Sequence, residues 1–172
     1  VYAGAHGVLL HEFHGSMPYA HAGSHVAGLG DVDGDGRGDL AFDDRSPSAA
    51  GGLFPPLEVV RVVSPATGAA IHDFFADAPS SWSGPTVESA GDLDSDGVND
   101  IVVGYHGQSA LLPPITRAYS GSSGELLLEI VNPFWWVTDG FASGVGDANG
   151  DGTPDIGVRL DVSPSAGNFF ST

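Results

Sequence analysis

One nine-residue acidic pattern occurs three times. It reads Asp31-Val-Asp33-Gly-Asp35-Gly36-Arg37-Gly-Asp39, then Asp92-Leu-Asp94-Ser-Asp96-Gly97-Val98-Asn-Asp100, then Asp147-Ala-Asn149-Gly-Asp151-Gly152-Thr153-Pro-Asp155. The chemistry that suits this spacing is the binding of a hard divalent cation, calcium above all. Calcium takes six to eight oxygens at about 2.3–2.6 Å, and a short loop supplies them from alternate residues. Positions 1, 3 and 5 carry Asp or Asn in every copy, and position 9 is Asp each time. Position 6 is Gly36, Gly97 or Gly152, a residue free to take the positive φ of a tight wrap. Position 7 would offer only its backbone carbonyl, so its side chain is free to vary between Arg37, Val98 and Thr153. Without a cation, so many carboxylates in one loop would repel, and some would have to protonate.

Asp and Gly also make ordinary solvated turns. Three copies in phase, with matching flanks, favour the metal reading. A Gly precedes each copy (Gly30, Gly91, Gly146), and an apolar run follows each (Leu40–Phe42, Ile101–Val103, Ile156–Val158). An EF-hand needs a bidentate acid at position 12 and then a helix. Position 12 here is Phe42, Val103 or Val158, inside β-like runs.

The elements that must hold these loops repeat as well. The loops start 61 and then 55 residues apart, at Asp31, Asp92 and Asp147. A fixed period of this size marks a propeller or a solenoid. Before each loop lies a short segment, strand A: 24–27, 86–89 and 141–143. An aromatic residue precedes it each time (Tyr19, Trp82, Trp136) and reads as packing between units. The apolar run after the loop is strand B. A Gly/Pro/Ser-rich connection follows (46–56, 104–114), then strand C (58–63, 115–119), a tight turn (64–68, 120–124) and strand D (69–75, 125–131). Short β-branched runs, 26 Gly, 12 Pro and no sustained helical periodicity predict an all-β chain.

The N-terminus enters out of phase. Residues 1–7 and 8–13 match strand C, its turn glycine and strand D, with Gly7 61 residues before Gly68. Residues 161–167 echo the C–D turn at the other end. The expected organisation is a single repeat domain, 1–172, with a half unit at 1–15, units at 16–75 and 76–131, and a partial unit at 132–172.

The Gly-Asp-x-Asp/Asn-x-Asp-Gly-x-x-Asp-Leu/Ile core, Gly140-Phe141 and the small Gly104 after strand B resemble the FG-GAP repeat of integrin α-subunit β-propellers and related bacterial repeats. The resemblance covers roughly residues 1–160. The FG position is degenerate, with Ser24-His25 and Pro85-Thr86 in its place. It implies propeller blades of four short antiparallel strands, with calcium bound in each A–B loop, and a role in adhesion or extracellular recognition. Three calcium sites are thereby expected. About three units make an incomplete ring, since propellers have four to eight blades. The complementary half units at the two ends suit head-to-tail pairing with other copies, as a ring or a filament. An excerpt of a longer propeller is the plain alternative, and the opening Val1-Tyr2 fits either an excerpt or a processed chain.

Composition narrows the function classes. Five Lys plus Arg stand against 22 Asp plus Glu, a formal net charge of −17, and eleven of the acids lie in the three loops. Such a surface repels nucleic acid and anionic membranes. No run approaches the 18 apolar residues of a spanning helix. Cys is absent, which excludes disulfides and thiol chemistry. Weak calcium loops fill at about 0.1–1 mM calcium, which points outside the cell.

Other chemistry is poorly served. His11-x-x-His14 and His21-x-x-x-His25 have metal-like spacings, but they lie in strand and loop sequence and read as ordinary polar positions. No Gly-x-Ser-x-Gly elbow stands between a strand and a helix, and Gly121-Ser-Ser-Gly124 is a hairpin turn. An enzyme is not expected, though an accessory region of a secreted enzyme is a third reading. Trp135, the extra aromatic of Phe134-Trp135-Trp136, suits a glycan or a protein contact. The leading expectation is an extracellular, calcium-stabilised structural or adhesive module; a lectin- or adhesin-like binding module is its rival.

Overall fold

The computed structural model describes residues 1–16, 21–46, 57–76, 84–106, 113–131 and 141–158, and these contain strands and no helix. The strands are β1 (Val26–Gly30), β2 (Asp39–Ser46), β3 (Leu57–Val63), β4 (Ala70–Phe75), β5 (Thr86–Gly91), β6 (Asp100–Tyr105), β7 (Ile115–Tyr119), β8 (Leu126–Val131), β9 (Ala142–Gly146) and β10 (Asp155–Val158). They form two antiparallel four-stranded sheets, β1-β2-β3-β4 and β5-β6-β7-β8, and an antiparallel pair, β9-β10. Strands A to D therefore occur in order in two units, and A and B in a third. The strand C echo at 161–167, the aromatics Tyr19, Trp82, Trp135 and Trp136, and most of both B–C connections lie outside the described residues.

The sheets repeat down to their irregularities. In each unit strand A slips register against strand B beside a glycine: Gly30 pairs with Asp39, Gly91 with Asp100 and Gly146 with Asp155. Those glycines have φ of 80°, 77° and 70°, the left-handed conformation of a glycine bulge. The bulge lets the ladder run up to the acidic loop. Strand A begins later than the sequence expectation: β1 starts at Val26 rather than Ser24, and β9 at Ala142 rather than Phe141.

The N-terminal segment repeats the turn geometry of the two C–D hairpins. Tyr2 bridges Leu9, as Val63 pairs with Ala70 61 residues later. Gly7 donates its N–H to the Ala3 carbonyl, as Gly68 does to Ser64 and Gly124 to Ser120.

Packing joins the units. The core draws Leu29, Val60, Val62 and Phe74 from the first sheet and Val87, Ile101, Val103 and Tyr119 from the second. Phe74 stacks on Tyr119 with centroids 4.2 Å apart and planes at 18°. The β4 ring of His72 donates from Nε2 to the Gly121 carbonyl at 2.9 Å and fills the space over Gly124. His11 fills the same space over Gly68. Along the A strands, β9 lies so close to β5 that a Cβ on Gly144 would stand 2.5 Å from the Ser89 carbonyl oxygen. The aligned Gly28 has open space around its Cβ direction.

Gly144→Ala should accordingly cost about 1–3 kcal/mol through overpacking against rigid backbone, whereas Gly28→Ala should stay within about 0.5 kcal/mol of the parent. Urea unfolding midpoints at unchanged slope measure both.

Candidate metal centre

Each acidic loop hangs between a bulged strand A and strand B, and position 9 of the loop is the first residue of strand B: Asp39, Asp100, Asp155. The chain winds around the carboxylate of position 1. Asp31 Oδ1 accepts the N–H groups of Gly34 and Asp35, and Oδ2 that of Gly36. Asp147 accepts from Gly150, Asp151 and Gly152 in the same way, and Asp92 from Asp96 and Gly97. The position 5 carboxylate takes the N–H of position 7, as Asp35 does from Arg37, Asp96 from Val98 and Asp151 from Thr153. Position 7 is thus held by its backbone N–H, while its side chain differs in each loop and that of Val98 packs against the core.

The ninth residue closes the loop. Asp39 Oδ2 accepts from Val32 and Asp33, Asp100 Oδ2 from Leu93, and Asp155 Oδ2 from Ala148 and Asn149. This folds position 9 back against positions 1 and 3. One oxygen each from Asp31, Asp33 and Asp39 lies within 4.8 Å of the others, and the same holds for Asp92, Asp94 and Asp100. In the third loop Asn149 stands where the others have an acid, and its Oδ1 accepts the Asp151 N–H.

The wrap sets the charges. Burial pushes the Asp39 carboxyl up, against the Val32 and Asp33 amides that pull it down, and the charges of Asp33 and Asp35 push it further up. Burial also raises Asp100, although the Gly121 and Leu93 amides oppose it. The exposed carboxyls go the other way: Asp96 is lowered by the Ser122 hydroxyl, Asp147 by the Gly152 amide and Asp151 by the Thr153 amide. A divalent cation would favour every carboxylate in its ionised form and so relieve the two raised ones. The donor set, all oxygen and mostly anionic, suits a hard ion and offers nothing to a soft one.

Of the histidines with metal-like spacing, His11 stacks against Phe13 and the His25 N–H donates to Asp43 Oδ1 at 2.7 Å. Neither belongs to an acidic metal-like cluster among the described residues. A buried acidic group escaped the sequence reading. Asp43 and Asp44 are fully buried side by side on β2, and burial raises Asp43. Asp44 accepts the Ser16 N–H at 2.9 Å and lies 3.7 Å from Arg61, which itself forks onto Asp73. Adjacent acids within a strand were the available signal. Their use in tying down residue 16 depends on a contact 28 residues away.

A small cavity of about 270 Å³ opens among the A strands, between His25, Thr86, Glu88, Phe141 and Ser143. Among the described residues no helix is long and apolar enough to cross a membrane. No protein-family model and no curated protein matches this sequence.

Two expectations follow. Ser95 has φ of 64°, where the other two loops have Gly34 and Gly150, so Ser95→Gly should stabilise by about 0.5–1 kcal/mol in chemical unfolding, the left-handed penalty exceeding the entropy cost of glycine.

The second concerns pH in the absence of metal. Asp39, Asp43 and Asp100 have raised folded values, so their contribution is present at low pH and is lost as pH rises through those values. Asp96, Asp147 and Asp151 have lowered folded values, so theirs is present above the unfolded value of about 3.9 and is lost as pH falls through the folded ones. In EDTA the melting temperature should therefore fall as pH rises from the unfolded value of about 3.9 through the raised folded ones. With calcium that trend should reverse, because protons compete with the ion.

Proposed function

We propose that this chain is an extracellular, calcium-stapled repeat module with a structural or adhesive role, built from FG-GAP-type propeller blades. The observation that carries the reading is the triplicate loop. Carboxylate oxygens converge at the A–B turn of the first two units, and all three units share the same A–B bulge beside the loop. Calcium would be held by Asp31, Asp33, Asp35, Asp39 and the Arg37 carbonyl, and by the matching residues of the other loops through Val98 and Thr153. Its chemistry here is charge neutralisation and cross-linking of strand A to strand B.

The blade reading is supported by the four-stranded meander of the first two units and by the side-by-side packing of β1, β5 and β9. A further support comes from the contact between units. His11 covers Gly68 and His72 covers Gly124. Register places Leu128 on β8 where His72 stands on β4. Leu128 is 43% exposed, and among the described residues nothing covers Gly7. Among the described residues, one knob and one socket of the same repeating contact are left over. Copies of the chain therefore join head to tail: β8 of one meets the 1–13 hairpin of the next, and that hairpin completes the sheet begun by β9 and β10. Such a heterologous contact closes a ring or continues as a filament.

Calcium at about 100 times its dissociation constant stabilises by about 2.7 kcal/mol per site, or about 5–11 °C in melting temperature for a domain of this size. Thermal melts with calcium and with EDTA test the staple, and an unchanged melt would exclude it. Sedimentation velocity tests the assembly. The parent chain should associate with concentration, and Leu128→Glu should stay monomeric with its calcium response intact. A parent that is monomeric throughout would end the head-to-tail reading.

A further inference from the structure

We infer that the first two acidic loops are closed by different means, the second by the protein's own hairpin turn and the first by the cation it binds. This rests on the metal reading above. In the second unit the β7–β8 turn lies directly on the acidic loop. Gly121 donates its N–H to Asp100 Oδ1 at 3.0 Å, and the Ser122 hydroxyl donates to Asp96 Oδ2. The approach is so tight that a Cβ on Gly121 would stand 2.1 Å from the Asn99 carbonyl oxygen.

The first unit lacks every part of this latch. Its β3–β4 turn has the same hydrogen bonds, with Ser64 and Gly68 in the places of Ser120 and Gly124. That alignment puts Pro65 where Gly121 stands and Ala66 where Ser122 stands. Proline has no N–H to donate and carries the Cβ for which the second turn has no room; alanine has no hydroxyl.

The consequence is seen at Asp39, the counterpart of Asp100. Its Oδ2 is held by two amides, but its Oδ1 is buried without a hydrogen-bond partner, in a residue only 3% exposed. A buried carboxylate oxygen without a donor is costly, and the residue that carries it is a member of the Asp31–Asp33–Asp39 cluster. A cation among those three acids supplies the positive charge that the turn does not. Loop 1 is thus ordered by its ion, and loop 2 is ordered with or without one.

Hydrogen exchange on the whole chain, with calcium and after chelation, tests this. Chelation should speed exchange over residues 32–39 by about tenfold or more and over residues 93–100 by less than about threefold. Pro65→Gly with Ala66→Ser, which builds the latch into unit 1, should bring the loop 1 response down towards that of loop 2. Ser122→Ala should make loop 2 more sensitive. Calcium binding by calorimetry with both loops opening equally on chelation, or loop 2 opening first, would overturn the inference and leave the metal reading standing. No calcium uptake, with exchange in both loops indifferent to chelation, would overturn both. Should the double variant fail to fold, Ser122→Ala decides alone, and an unchanged loop 2 response counts against the latch.

Discussion

An aspartate at the first position of strand B is the constraint on which each unit depends. Asp39, Asp100 and Asp155 each pair with the glycine of a bulge and accept amides from the start of their own loop. A hydrogen bond to a charged acceptor contributes about 1.5–3 kcal/mol, so the residue fixes the loop's curvature. It also draws negative charge towards the core, where Asp39 and Asp100 become fully buried. The loop is stable as a shape and unfavourable as a charge distribution, a conflict that a bound divalent cation would resolve. Glycine before the loop, the bulge and the short apolar run after it are all consequences of placing that carboxylate.

The units share a ladder and differ in how they hold their charges. The first buries Asp43 beside His25, Asp44 beside Arg61, and Glu58 opposite Arg45. The second has Gly104 and Tyr105 at the positions of Asp43 and Asp44, by the same register. Contacts between units are more regular. Asn99 donates to the Leu29 carbonyl, Pro154 stands over Gly91, and the rings of β4 cover the next unit's turn. The same loop that gathers the carboxylates therefore also spaces the units, because its eighth residue touches the preceding bulge. A change in loop shape would be felt one unit away.

Much was legible in the sequence. The three loops, the order of strands A to D and the half unit at residues 1–13 follow from local patterns. Asp and Gly at fixed offsets dictate a wrap within nine residues, and β-branched runs between turn residues dictate strands. These signals act over a few bonds, so they survive in a bare string of letters. The all-β class follows from them.

What only the tertiary structure decided is non-local. Strand A begins two residues later than its composition indicates in β1, and a glycine bulge at its other end carries pairing to the edge of the loop. His11 and His72, which as letters offer metal-like spacing or nothing, fill the space over glycines of the next unit. Pro65 and Gly121 are both unremarkable turn residues until the turn is seen lying on the acidic loop. Asp39 and Asp100 then differ, although their own loops are nearly alike, because the donor that satisfies one of them comes from 21 residues further along the chain. Sequence determines which groups a loop contains; packing decides which of them find a partner.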